Sequence, residues 1–191
     1  MTKAYNEYSK AVRKAVRDLW RGDIDVYEFI YFMSDAMESG FEDAWIEGAE
    51  YLEVPPDLNY ENRDIIATEV AAKSTLLLGF GGTIIASSKD EGGKLAPLLK
   101  RAALWTAAYF LIREFAKTVL GEDIHLKWTL HPAEHCRSCV KLDGIVKTAT
   151  EWQEQDVYPR HWDKLDCRIG CKCTLDKTDE PVTEAPLPLL P

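Results

Sequence analysis

The chain has 191 residues, 46% of them hydrophobic and 29% charged, enough for one medium domain or a domain with a small appendage. Lys and Arg number 23 against 32 Asp and Glu, a formal charge of −9. A chain this acidic is not expected to bind nucleic acid generally, because phosphate contacts need a dense cationic face. The longest apolar runs, at 76–86 and 104–112, reach about half of the ~20 residues that cross a bilayer. The first fourteen residues alternate charged and polar side chains with no apolar leader, so a soluble, non-secreted chain is expected.

Residues 1–121 read as a helical bundle. Tyr5, Tyr8, Val12, Val16 and Leu19 recur at helical spacing, with Lys10, Arg13, Lys14 and Arg17 off that stripe. Gly22 is the expected C-cap and Asp23 or Asp25 the next N-cap. Phe29, Met33, Met37, Phe41, Trp45, Gly48 and Leu52 then mark a longer apolar stripe, which Gly40 is expected to bend or split and Pro55-Pro56 to end. A third helix is expected from Asp57 or Asn59 through Ile66, Val70, Ser74 and Leu77, broken at Gly79-Phe80-Gly81-Gly82. That glycine run lacks the spacing of a phosphate loop and has no Lys-Ser/Thr pair after it. Leu104, Ala108, Leu111, Phe115 and Val119 mark a fourth helix that stops at Gly121.

Charge is uneven along the bundle. Lys3, Lys10, Arg13, Lys14 and Arg17 face only Glu7 in the first seventeen residues, whereas 18–57 is strongly acidic. A solvated helix face is the simpler reading, and an acidic surface for a basic protein partner is the functional one.

Residues 122–175 have a different character. The stretch 125–130 alternates as a short strand would, Asp143-Gly144 reads as a turn into a strand at 145–147, and 171–175 reads as a last strand. Thr148 and Glu151 have the spacing of a capping box for a brief helix through Trp152. Residues 176–191 form a Pro-rich tail that reads as extended or flexible. The fold class is therefore α+β, mostly α.

All five cysteines fall between 136 and 173, as Cys136-x2-Cys139 and Cys167-x3-Cys171-x-Cys173. An odd, clustered set without a secretion signal favours a metal site or reduced thiols over a disulfide framework. A C-x2-C pair sets two thiolates about a turn apart, and a second pair from the later three completes a four-sulfur site for structural zinc. Such an ion suits a segment with few large apolar side chains. Spacing leaves open which thiol is surplus, and His131, His135 and His161 are alternative donors.

Catalytic signatures are missing. His131-Pro-Ala-Glu134 sits against the Cys pair in the wrong order and spacing for a nucleobase deaminase, and H-E-x-x-H is absent. No catalytic residue is assigned.

The ordered run Trp128, Cys136-Arg-Ser-Cys139, Leu142-Asp-Gly144-Ile-Val146, Glu151-Trp152, Pro159, Leu165-Asp-Cys167 and Gly170-Cys171-Lys-Cys173-Thr-Leu175 resembles the C-terminal module of phage head morphogenesis proteins, the MuF-like minor head family. The resemblance spans about residues 125–175. It implies a non-enzymatic minor head protein of the virion, present in host cytoplasm during assembly. Its partners would be the portal or the major capsid protein, near packaged DNA, with no membrane and no small-molecule substrate. The metal ligands expected under this resemblance are Cys136, Cys139, Cys167 and Cys173, with Cys171 the alternate. Trp128, Trp152 and Trp162 are expected to pack around the knuckle. The competing reading is a zinc-dependent nucleic-acid-binding module or an HNH-like nuclease, which would draw on His131, His135, Arg137, Arg160, His161 and Arg168.

Overall fold

The computed structural model describes residues 2–190. Seven helices and three strands follow one another as α1 (Lys3–Arg21), α2 (Val26–Leu52), α3 (Tyr60–Ser74), α4 (Leu77–Ala86), α5 (Leu95–Leu120), β1 (His125–Thr129), α6 (Arg137–Leu142), β2 (Val146–Thr148), α7 (Ala149–Glu154) and β3 (Thr174–Lys177). This is a mostly-α α+β fold, as the sequence pattern predicts. The chain forms two compact units: one takes the residues up to Asp43 with Leu58–Tyr109, the other Ala44–Asp57 with the residues from Phe110 onward.

In the first unit the apolar stripes face inward. Tyr8, Val12, Val16 and Leu19 of α1 are buried, as are Phe29, Met33, Met37 and Phe41 of α2. Gly22 closes α1 in a left-handed conformation, φ 78°. Asp25 caps α2, accepting from the N–H groups of Tyr27 and Glu28 while Glu28 accepts from the Asp25 N–H.

Gly40 does not bend α2, which runs unbroken from Val26 to Leu52. A side chain there would meet the Tyr8 ring, with a Cβ only 2.5 Å from Tyr8 Cδ2, so this glycine serves close packing. Nor does the glycine run end the third helix. The break comes earlier, at Thr75 and Leu76, and the glycines lie inside α4. A Cβ on Gly81 would come within 2.8 Å of Val26 Cγ2. α5 begins at Leu95, well before the first stripe residue, and accommodates Pro97 in its first turn.

The helical stretches Tyr60–Ala86 and Leu95–Leu120 have the length and composition to cross a bilayer, with 22% and 44% of their most apolar windows buried. On the surface of the first unit, Leu76, Leu78, Ile85 and Leu104 stand exposed, as do Tyr27, Tyr31 and Phe32 of α2.

In the second unit an antiparallel sheet of order β2-β1-β3 forms the scaffold, with Leu126 opposite Lys147 on one side and Lys177 on the other. Leu126, Trp128, Trp152 and Leu175 are fully buried, and the two indoles lie 5.8 Å apart. Trp152 Nε1–H donates to the Leu126 carbonyl at 2.9 Å, so its polar atom is satisfied inside the core. The Thr148–Glu151 capping box is present on both arms. Trp162 is 62% exposed and takes no part in this core, against the expectation from sequence.

Among the described residues beyond β3 no regular element forms, yet the tail follows the sheet. Thr183 N–H donates to the Val146 carbonyl at 2.8 Å, and Lys147 Nζ donates to the Thr183 carbonyl at 2.6 Å. Lys127 pairs with Glu180.

Candidate metal centre

α6, which periodicity does not reveal, starts the site. Cys136 is its N-cap, and its sulfur accepts from the Cys139 N–H at 3.4 Å, so the helix end holds the C-x2-C pair in a fixed turn. Cys139, one turn on, is buried. The 3-10 turn Arg168–Gly170 then brings the later cysteines back. Arg160, in a left-handed conformation with φ 71°, anchors that turn by donating from Nη1 to the Ile169 carbonyl at 2.9 Å.

A polar staple sets the register between the two cysteine segments. Ser138 Oγ donates to Asp166 Oδ2 at 2.8 Å, and Asp166 N–H donates back to Ser138 Oγ at 3.2 Å. Each residue is the immediate neighbour of a cysteine, so the staple fixes Cys139 beside Cys167. Sequence reasoning misses both: Ser and Asp 28 positions apart carry no joint signal.

β3 carries the final segment, and a buried charge network ties β3 to α5. Glu114 Oε2 accepts from the Leu175 N–H and Lys117 Nζ donates to the Leu175 carbonyl, both at 2.8 Å. Lys117 also bonds both Glu114 oxygens and lies 4.1 Å from the Tyr51 ring centroid. Burial pulls the Lys117 ammonium below its ordinary range, and Glu114 opposes that.

All five cysteines converge. Cys136, Cys139 and Cys167 form one triad and Cys139, Cys171 and Cys173 another, each with sulfurs within 4.8 Å of one another. Cys139 Sγ is 3.4 Å from Cys167 Sγ and 3.5 Å from Cys171 Sγ. Those separations are far beyond an S–S bond of ~2.0 Å. They lie near the ~3.8 Å edge of a tetrahedron of thiolates at ~2.3 Å from one ion. The cluster can hold a metal ion.

Its electrostatics point the same way. The Cys171 thiol is held far below its ordinary range, because Cys139, Cys167 and Cys173 donate to it. Cys139, spent as a donor to those neighbours, is pushed far up. Burial acts upward on Cys136, but the Cys139 N–H and the Cys167 thiol and N–H more than offset it, and Cys136 falls below its usual value. One buried thiolate thus suppresses ionisation of the others, and a bound cation would favour ionisation of all of them.

Of the three histidines named from sequence, only His135 reaches the cluster, with Nδ1 3.7 Å from Cys173 Sγ. His131 Nε2 lies 2.8 Å from Thr174 Oγ1 instead. His161 packs on Tyr158 and faces Asp156.

No family model, no curated protein and no solved structure matches the chain.

Proposed function

We propose that this chain is a non-enzymatic minor head protein of a bacteriophage, acting in capsid assembly beside the portal or the major capsid protein. Its C-terminal module is held rigid by structural zinc. The observation that carries the reading is the ordered motif of residues 128–175, whose cysteines meet in one cluster rather than serving separate ends. Two supports are independent of the motif. The first unit exposes Tyr27, Tyr31, Phe32, Leu76 and Leu78, the kind of side chains that interfaces between proteins bury. The formal charge of −9 favours protein partners over DNA. Zinc suits an all-thiol or thiol-rich donor set, with apparent stabilisation of about 10–16 kcal/mol in small domains, more than any single apolar contact supplies.

The test is the composition of procapsids assembled in cells that produce the chain. The chain is expected to purify with portal and capsid proteins, and particles assembled without it are expected to be defective. Normal procapsids lacking the chain would overturn the reading. DNA binding that falls steeply with salt would favour the nucleic-acid alternative instead.

A further inference from the structure

We propose that the cysteine cluster holds two divalent metal ions, the second bound by Cys173 and His135 together with Cys139 and Cys171 as bridging thiolates. The inference rests on the reading of the cluster as a metal centre and goes beyond a single structural ion.

Four observations carry it. The thiols do not form one foursome with a spare: they fall into two triads that share Cys139. Cys171, 3.5 Å from the shared Cys139 and in the second triad with Cys173, links the two sets. In the proposed centre Cys171 would complete the first triad as its fourth ligand, and His135 would complete the second.

His135 is set as a ligand would be. Its Nε2 lies 2.6 Å from the His131 carbonyl oxygen. A carbonyl only accepts, so Nε2 carries the proton and Nδ1 offers a bare lone pair toward the cluster, the arrangement in which a metal-binding histidine is oriented by a backbone partner. The separation of 3.7 Å between Nδ1 and Cys173 Sγ is close to the ~3.6 Å edge of a tetrahedron built from a ~2.3 Å sulfur and a ~2.05 Å nitrogen bond.

Cys173 is buried, at 2% exposure, so a thiolate there needs a cation beside it. Charge also balances better. Five thiolates leave three negative charges uncompensated by one divalent ion and a single one by two.

Metal-free, reduced full-length chain titrated with Zn2+ and weighed by native mass spectrometry tests this directly. The expected result is saturation at two ions per chain, falling to one in the double variant H135A/C173S. Saturation of the unaltered chain at one ion would overturn the second position and leave the metal centre standing. No uptake at all would overturn both. Retention of two ions by the double variant would also overturn the assignment, and the count on the unaltered chain does not depend on the variant folding.

Discussion

His161 illustrates how a single side chain is committed by its neighbours. Its Nδ1 accepts from the backbone N–H groups of Asp163 and Lys164, at 3.2 and 3.1 Å, which requires a neutral ring. Burial lowers its pKa below the usual 6.5, with Asp156 pulling the other way. The unfolded chain therefore binds the proton more readily. The group's contribution to stability is complete above pH 6.5 and is lost as pH falls from there toward the depressed folded value. A 1H–15N NMR titration is expected to place the His161 midpoint below 6.5, and a midpoint at or above 6.5 would contradict this account. Two glycines provide a second contrast. A Cβ on Gly48 would meet the Arg113 carbonyl oxygen at 2.7 Å and Ala116 Cβ at 2.8 Å, whereas Gly79 in α4 has open space around it. Gly48→Ala is expected to cost about 1–3 kcal/mol through forced backbone shifts. Gly79→Ala is expected to gain about 0.5–1 kcal/mol from helix propensity. Urea denaturation of both variants checks the opposite signs.

Among elements, β3 depends most on partners remote in sequence. Its Leu175 backbone is gripped at both ends by the Glu114–Lys117 pair of α5, where each side chain is about 1% exposed. Removing Lys117 leaves the buried Glu114 with Arg113 as its remaining cationic partner, at 2.8 Å, and strips the Leu175 carbonyl of its donor, so Lys117→Met is expected to cost about 1–3 kcal/mol. The double change Glu114→Gln with Lys117→Met removes both charges and is expected to cost less. Equilibrium unfolding of the two variants decides it, and equal losses would contradict the pairing. Such a clamp is invisible in a linear reading, since Glu114 and Lys117 lie off the stripe of Leu111, Phe115 and Val119 and look like the solvated side of a helix. The helices themselves were far more legible. Stripes at 3.6-residue spacing locate α1 and α2, and the side chains of Asp25 and Asn59 cap α2 and α3. The α3–α4 break falls at Thr75 and Leu76, which carry no breaker signal, whereas of the conspicuous glycines only Gly81 serves a close helix approach. α6 escaped because its six residues span fewer than two turns and show no period.

Across the whole molecule, composition separates a cysteine-free segment from a cysteine-rich one, but packing groups the chain by another rule. Ala44–Asp57 of the long helix and its loop belong with the residues from Phe110 on, tied there by contacts such as Lys177 Nζ to the Leu52 carbonyl and Trp45 against Phe115. Sequence periodicity carries no information about which stretch of a continuous helix serves which core. The candidate site was legible as chemistry and not as geometry: five thiols in two spaced groups signalled a metal, while Ser138, Asp166 and the choice of His135 over His131 and His161 emerge only in three dimensions. The second unit buries the indoles of Trp45, Trp128 and Trp152, and the stretch from 130 to 173 adds Leu142, Val146, Val157, Tyr158 and Leu165, so a metal in the cysteine cluster would crosslink a segment that also has an apolar core of its own.

The most direct measurement is therefore the near-UV circular dichroism of full-length protein purified without chelator, with its metal content, before and after exhaustive chelation under reducing conditions. Zinc bound at the outset, and loss of the buried Trp128 and Trp152 signal when it is withdrawn, is the predicted result. Metal-free protein with reduced cysteines and an unchanged aromatic signal would contradict the account.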